Sequence, residues 1–114
     1  MEKTVSLQPG KAASVSGRVP NGAAFFQDHF PDFPVLPGVL AVEILKRTAE
    51  LCLEKKDLAL ARVSQVKFSS YLKPGDSWES RVELADQQDG QSEWKGKLFQ
   101  GERLAVSAKF VLNA

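Results

Sequence analysis

The sequence predicts an α+β domain in which a mostly antiparallel β-sheet curves around one long central helix. A single apolar stretch with helical spacing runs from Pro37-Gly38 to about Lys55. Segments that alternate apolar and polar residues, as strands do, lie both before and after it. Because these strands do not alternate with helices as in βαβ units, we expect antiparallel neighbours and a sheet that wraps around the helix.

Length and composition are typical of one globular domain. The chain has 114 residues, of which 43% are hydrophobic, so a single domain over residues 1–114 can build an ordinary core. The 15 Lys and Arg residues nearly balance the 14 Asp and Glu residues, which gives a formal net charge of +1. This balance argues against nucleic acid or an anionic membrane surface as the main partner.

Cysteine content and apolar runs exclude several further classes of protein. Cys52 is the only cysteine, so neither an intramolecular disulfide nor a zinc site built from cysteines can form. Its neighbours Leu51 and Leu53 suggest a small buried hydrophobe. We find no signal peptide and no run of the ~18 apolar residues that a membrane span needs. We therefore expect a cytoplasmic protein without a membrane span.

Two short strands are expected at the start of the chain, over residues 4–7 and 12–19. Between them, Gln8-Pro9-Gly10-Lys11 has the composition of a turn, since Pro presets φ at the second position and Gly accepts a positive φ at the third.

The next segment, from Pro20 to Pro37, is expected to be a loop packed against the domain. Its prolines exclude a long helix and a central strand, and its aromatic residues are too apolar for a solvated linker. Stiff, packed loops of this kind often carry function. The residues concerned are Pro20, Pro31, Pro34 and Pro37, with Phe25, Phe26, Phe30 and Phe33.

The helix that follows is apolar over more than one narrow stripe, which predicts that other parts of the domain enclose it. Lys55 and Lys56 suit its C-terminal end, where the helix dipole favours cations. The stripe itself consists of Val42, Leu45, Ala49 and Cys52.

Four more strands are expected after the helix. An apolar segment at residues 60–68 precedes a strong turn at Lys73-Pro74-Gly75-Asp76, and residues 77–85 alternate. Asp89-Gly90 is a hairpin turn, and Gly101-Glu102 separates the last two strands. The positions expected on one face are Trp78, Ser80, Val82 and Leu84, then Trp94, Gly96 and Leu98, then Leu104, Val106, Ala108, Phe110 and Leu112.

His29 and Glu43 are the side chains best suited to acid–base chemistry. His29 is the only histidine, and it is either a hydrogen-bonded structural residue or a general base with a pKa near ~6.5. Glu43 stands in an apolar helical stretch. It either faces solvent and complements the helix dipole, or it lies in an apolar pocket that lets it hold a proton.

Gly38 and Val39 are candidates for binding a substrate oxyanion. At the start of a helix, backbone N–H groups lack intrahelical partners and the dipole is positive. Pro37 has no N–H, so Gly38 and Val39 are the natural donors for a thioester oxyanion. The alternative is an ordinary Pro-Gly helix start.

A longer pattern resembles the signature of bacterial 3-hydroxyacyl-[acyl-carrier-protein] dehydratases of the hot-dog superfamily. It consists of His29-Phe30-Pro31, Pro34, Pro37-Gly38-Val39-Leu40 and Glu43. Phe25-Phe26-Gln27 upstream, and Val66-Lys67-Phe68 with Leu72-Lys73-Pro74-Gly75-Asp76 downstream, are also similar to that family. The likeness runs from about Leu7 to the C-terminus.

The resemblance implies a hot-dog fold and a homodimer with two shared active sites, each pairing His29 of one subunit with Glu43 of the other. Larger assemblies of such dimers occur in the family. The implied reaction converts (3R)-3-hydroxyacyl-[acyl-carrier-protein] thioesters into trans-2-enoyl thioesters, in fatty-acid or related lipid or polyene biosynthesis. The carrier is the protein or CoA, and no metal, flavin or nicotinamide is required.

The chemistry of dehydration matches these residues. A base must remove the α proton, an acid must protonate the departing 3-hydroxyl, and a donor must stabilise the oxyanion. By the resemblance, His29 is the base, Glu43 the acid and the Gly38 N–H the donor. Residues that either line an acyl tunnel or belong to the core are Phe25, Phe26, Phe33, Leu36 and Leu40.

Several positions depart from the family pattern. Lys46 and Arg47 replace an apolar residue and a Gln, and Arg47, one turn from Glu43, is placed to pair with it, keep it ionised and weaken it as an acid. Asp28 replaces a usual Gly and is expected to raise the pKa of His29. These departures suggest a specialised branch, for example one serving a secondary lipid or polyene pathway, or a non-catalytic relative.

Two other functions remain open at this point. A hot-dog thioesterase would use a carboxylate to activate water, and a non-catalytic module would bind the acyl group or its carrier without turnover. An acyl carrier protein is acidic, so its docking surface should be basic. The candidates for that surface are Lys46, Arg47, Lys55, Lys56, Arg62, Lys67 and Lys73.

Overall fold

The computed structural model describes residues 3–19, 38–70, 72–73 and 75–113. They form one helix and a six-stranded sheet, which confirms the expected α+β fold. The elements are β1 (Lys3–Gln8), β2 (Ala12–Arg18), α1 (Gly38–Leu53), β3 (Leu60–Phe68), β4 (Ser77–Gln88), β5 (Gln91–Gln100) and β6 (Arg103–Asn113). The predicted loop from Pro20 to Pro37 lies outside the described residues.

The sheet has the order β1-β2-β4-β5-β6-β3, and each of its strand pairs is antiparallel. Tight turns join β1 to β2, β4 to β5 and β5 to β6. The predicted turn before β4 is present, since the Asp76 N–H donates to the Lys73 carbonyl at 3.0 Å and the Lys73 N–H to Asp76 Oδ2 at 2.8 Å. β3 pairs with β6 and ends the sheet on the side opposite β1.

The core lies between α1 and the concave face of the sheet. The positions of β4, β5 and β6 that we expected on one face of the sheet are buried or half-buried there. The largest fully buried side chains include Trp94, Phe110, Leu45 and Leu98. Cys52 is buried as expected, at 1% exposure. Gly96 lets the helix approach, because a Cβ there would lie 3.0–3.1 Å from Phe110 and Leu45.

The helix crosses the strands rather than running along one of them. Leu45 lies against Gly96 of β5, Thr48 bonds Ser80 of β4, and Cys52 Sγ donates to the Gln8 carbonyl of β1 at 3.5 Å. The Gly10 N–H, in the turn after β1, donates to the Cys52 carbonyl at 2.9 Å and satisfies one of the last carbonyls of α1. The N-terminal end of α1 is therefore its end nearer β5, and its C-terminal end abuts β1.

Element ends differ from the prediction by a few residues. α1 ends at Leu53 instead of about Lys55, because Glu54 adopts a left-handed φ of 57°. β4 continues past residue 85 to Gln88, because its polar end still pairs with β5 in the hairpin although it buries nothing. β1 has a register shift between Thr4 and Ser6. Among the described residues, no helix is long and apolar enough to cross a membrane.

Candidate active site

The described structure contains part of the predicted site. His29, Phe25, Phe26, Phe33 and Leu36 lie outside the described residues. Gly38 and Val39 form the first turn of α1, and Leu40 and Glu43 follow on the same helix. Leu40 is half-buried and packs against the hydrophobic core, so its described contacts are those of a core residue.

The start of α1 has the properties needed to bind an oxyanion. The helix begins at Gly38, as predicted, so the N–H groups of Gly38 and Val39 belong to the turn that lacks intrahelical acceptors. No acidic residue stands in this first turn, so no carboxylate of that turn competes for the positive end of the dipole.

Glu43 lies on the part of α1 that faces away from the sheet. Its side chain is 43% exposed, and Arg47 Nε lies 3.6 Å from Glu43 Oε1, with the Arg47 side chain 61% exposed. This confirms the predicted pairing one turn apart. At that distance the contact is an ion pair without a well-formed hydrogen bond. Of the two interpretations of Glu43, the partly solvated one therefore describes the single chain.

A buried hydroxyl chain fixes the backbone beside Glu43. Thr48 Oγ1 donates to the Ile44 carbonyl at 2.9 Å and lies 2.7 Å from Ser80 Oγ. Since the carbonyl can only accept, the single Thr48 proton goes to Ile44, and Ser80 must donate to Thr48. We did not single out these hydroxyls from the sequence. The available signal was that each stands at an apolar-face position, where a buried hydroxyl needs a partner.

Lys46, one of the candidates for the carrier-docking surface, is mostly buried in the described structure and is ion-paired. Its side chain is 14% exposed, and Lys46 Nζ lies 3.2 Å from Glu50 Oε2. Glu50 also accepts the Leu58 N–H at 2.8 Å and so ties the segment after α1 to the helix. The role of Glu50 was not evident from the sequence, because a charged residue near the end of a helix is usually solvated. Of the other basic candidates, Lys55, Lys56, Arg62, Lys67 and Lys73 are exposed.

A groove of about 610 Å³ opens beside α1, and we call it the β1–α1 groove. Its apolar lining comes from Leu7, Val15, Ile44, Leu51 and Trp78. Its charged lining includes Arg47, Glu54, Lys3, Lys55 and Lys56. The groove thus runs from Arg47, which is ion-paired with Glu43, to the β1 side of the fold.

Solved structures similar to this chain share its fold. The (R)-hydratase from A. caviae involved in PHA biosynthesis superposes with a TM-score of 0.74 at 22% identity, covering 96% of this chain and 98% of its own. A hypothetical thioesterase from Streptococcus pneumoniae, solved with coenzyme A, has a TM-score of 0.79 at 13% identity and covers 99% and 87%. At these identities the likeness establishes the hot-dog fold alone.

Sequence relatives and a family model identify the family of this chain, which the solved structures do not. The 3-hydroxyacyl-[acyl-carrier-protein] dehydratase FabZ of Levilactobacillus brevis is 32% identical over 114 residues, which cover 95% of this chain and 77% of the relative. The FabZ of Oceanobacillus iheyensis is 33% identical over 112 residues, covering 93% and 75%. The family model described as ApeI-like, ApeI dehydratase, matches residues 5–108. The resemblance seen in the motifs is therefore confirmed, and the chain belongs to the ApeI-like dehydratase family.

Proposed function

We propose that this protein dehydrates (3R)-3-hydroxyacyl-[acyl-carrier-protein] thioesters to trans-2-enoyl thioesters, in fatty-acid or related lipid biosynthesis. The observation that carries the proposal is the family match over residues 5–108, which includes both the His29-Phe30-Pro31 motif and the helix that bears Glu43. Relatives named as dehydratases of this kind match over most of the chain.

His29 acts as the base that removes the α proton, and Glu43 donates a proton to the departing 3-hydroxyl. The Gly38 and Val39 N–H groups bind the thioester oxygen while negative charge develops on it. The start of α1 at Gly38 supports this assignment, since preformed donors at a helix N-terminus need no reorganisation during the reaction. Glu43 is half-exposed and so is open to a substrate, and its ion pair with Arg47 must give way for it to act as the acid.

The active protein is a homodimer in which His29 of one subunit meets Glu43 of the other. The outer edge of β3 supports this arrangement. Within the described sheet β3 pairs with β6 alone, and Leu60, Val66 and Phe68 are 39%, 37% and 46% exposed. A long edge strand with exposed apolar side chains favours pairing with another strand. A second copy joined at β3 by two-fold symmetry would cover these residues.

Turnover of a 3-hydroxyacyl thioester, measured as formation of the conjugated enoyl product, tests the function. We expect the native chain to form this product. His29→Ala and Glu43→Gln should each lower kcat by at least about a hundredfold, the range for loss of a general acid or base. Glu102→Gln, an exposed carboxylate in the turn before β6, is the matched control and should keep native kcat.

Product analysis separates the alternatives. Free acid and free thiol from the native chain would identify a thioesterase, and thioester binding without turnover would identify a non-catalytic module. Full enoyl formation by folded His29→Ala or Glu43→Gln would contradict the proposed pair.

A further inference from the structure

The last residue of β3, Phe68, exposes its aromatic ring on the concave side of the sheet. Phe68 lies directly opposite Val106 of β6, and directly opposite residues of antiparallel strands share a face. Val106 belongs to the hydrophobic core and is 4% exposed, whereas Phe68 is 46% exposed. The motif Val66-Lys67-Phe68 has no role in the proposed reaction. A large ring on the core side of the sheet, half uncovered by the core, is available to a ligand.

A β-bulge at Gln65 determines that Phe68 faces the concave side. Between Ser64 and Lys67, β3 advances by three residues while its partner β6 advances by two, so β3 contains one extra residue there. If the register of Ser64 continued unchanged, Phe68 would lie opposite Ala105 and point to the convex side, because a shift of one residue exchanges the two faces of a strand. The bulge therefore turns the ring towards the core side of the sheet.

The bulge has a backbone conformation that is unfavourable for glutamine. Gln65 has a φ of 53°, in the left-handed region that residues other than Gly, Asn, Asp and His seldom adopt. Its side chain is exposed, so burial does not compensate for the strain. The N–H groups of Ser69 and Ser70 donate to the Ala105 carbonyl at 2.8 and 3.3 Å and hold the chain just after Phe68. Strained positions that their surroundings hold in place cluster at ligand sites.

The start of α1 lies over the same end of the sheet. Towards its N-terminus the helix contacts strands in their order in the sheet, since Cys52 meets β1, Thr48 meets β4 and Leu45 lies against β5. A helical turn rises by about 5.4 Å, and neighbouring strands are about 4.8 Å apart. Continued for the two turns before Leu45, this crossing brings Gly38 over β6 and β3. The oxyanion donors of the proposed reaction and the Phe68 ring therefore lie at the same end of the concave face.

We propose that Phe68 is a specificity-determining residue against which the acyl chain of the substrate packs, and that the Gln65 bulge positions its ring. This inference rests on the proposed function, in which the thioester oxygen is bound at Gly38 and Val39. An acyl chain that extends past the reacting carbons covers the exposed ring, and both lose apolar surface to water. A chain that ends at those carbons does not gain this contact, so Phe68 favours long acyl chains.

The concave side of β3 continues this apolar surface, which suits the acyl part of the substrate better than its polar parts. Val63 lies opposite Phe110 and Leu60 opposite Leu112, so both face the core side. Val63 is half-buried and Leu60 is 39% exposed. In the proposed dimer, pairing at β3 joins backbone groups in the plane of the sheet and leaves room above its concave face. The surface then lies at the joint between two copies, where the proposed shared sites are.

The ratio of kcat/KM for a long and a short substrate tests the role of the ring. Phe68→Ala should lower kcat/KM for the 3-hydroxydodecanoyl thioester about tenfold or more, and should leave that for the 3-hydroxybutyryl thioester within about twofold of native. Phe68→Leu, which keeps an apolar side chain, should retain part of the preference. Phe99→Ala is the control, because Phe99 lies opposite Glu79 on the convex face, under Arg81, and should leave the ratio native.

An equal loss for both substrates in Phe68→Ala would overturn the inference, since a merely structural residue would affect all chain lengths alike. Light scattering shows whether each variant keeps the oligomeric state of the native chain.

A graded series at Gln65 tests the role of the bulge. Gln65→Gly accepts a positive φ without strain and should keep the native ratio. Gln65→Val disfavours a positive φ most strongly, because its side chain is β-branched, and should lose the preference for the long chain as Phe68→Ala does. Gln65→Ala should be intermediate. A native ratio in all three folded variants, or a loss that does not follow the order Gly, Ala, Val, would contradict the positioning role.

A binding measurement separates this inference from the proposed function. Dodecanoyl and butyryl thioesters of the carrier protein lack the 3-hydroxyl, so their Kd can be measured without dehydration. If the native chain forms no enoyl product, the function fails. A Kd for the dodecanoyl thioester that is weakened in Phe68→Ala, with an unchanged Kd for the butyryl thioester, would still support the ring as the contact for the acyl chain. An equal Kd for the dodecanoyl thioester in the native chain and Phe68→Ala would reject it.

Discussion

At the scale of single residues, the hydroxyl chain from Ser80 through Thr48 to the Ile44 carbonyl predicts that its two hydroxyls differ in how much stability their removal costs. Thr48→Val removes the acceptor of a fully buried Ser80 hydroxyl and should lower the free energy of unfolding by about 1–2 kcal/mol. Ser80→Ala leaves Thr48 bonded to Ile44 and should be milder. Denaturant unfolding of both variants measures the difference.

The double variant Thr48→Val/Ser80→Ala is the control for this prediction. Because both polar partners are gone, it should be no less stable than Thr48→Val alone. If the loss of unfolding free energy in the double variant equals the sum of the losses in the two single variants, a direct bond between the hydroxyls is contradicted.

Residue-scale chemistry was only partly predictable from the sequence. The Glu43–Arg47 pair follows from helical spacing, which brings residues four apart onto one side. The role of Lys46 does not follow, because its partner Glu50 is held by the Leu58 N–H in a segment whose path depends on tertiary packing. A sequence pattern locates a charged side chain on a helix, but it does not locate the loop that folds over it.

At the scale of elements, two glycines set how closely backbone and aromatic side chains approach. A Cβ at Gly17 would lie less than 3.0 Å from the Trp78 ring, whereas a Cβ at Gly96 would meet Phe110 and the methyl groups of Leu45 at 3.0–3.1 Å. Leu45 can move slightly, but the buried indole of Trp78 has less freedom. We therefore expect Gly17→Ala to be more destabilising than Gly96→Ala, by about 1–3 kcal/mol for the former.

The melting temperatures of Gly17→Ala and Gly96→Ala, measured by thermal unfolding, test which substitution is more destabilising. Ser16→Ala, next to Gly17, is the control. Equal melting temperatures for the two glycine variants would show that the indole moves as readily as a leucine methyl group.

Elements were the part of the fold that the sequence predicted best. Alternation located the inward face of β4, β5 and β6, because a strand with one buried face shows a period of two. It did not locate the end of β4, since Asp86 and Gln88 pair with β5 without burying a side chain. The β1–α1 groove was also beyond the sequence, because it depends on the angle at which the helix crosses the strands.

At the scale of the whole molecule, the proposed dimer makes a prediction that a monomer cannot satisfy. When inactive His29→Ala and Glu43→Gln subunits are mixed under refolding conditions, half of the dimers should combine one subunit of each kind. Each mixed dimer then has one site with both native residues, so activity should recover to about a quarter of native.

The control is a mixture of Glu43→Gln with the double variant His29→Ala/Glu43→Gln, in which no site can contain both native residues. Activity that stays absent in the first mixture, while light scattering shows dimers of the 12.5 kDa chain, would place His29 and Glu43 of one subunit in the same site.

The irregularity in β1 has a consequence for how many copies can assemble. A sheet that joins a second copy at β3 still ends in β1 on each side, and an open edge on each side is a template for indefinite growth into a filament. The register shift between Thr4 and Ser6 bends that edge, and Lys3 adds a charge to it. Bulges and lysines on an edge strand discourage further strand addition. β3 also shifts register against β6, so the two edges differ mainly in length, with six residues in β1 and nine in β3. In the proposed dimer, the shorter β1 would therefore end the sheet on each side, and strand pairing would stop at two copies.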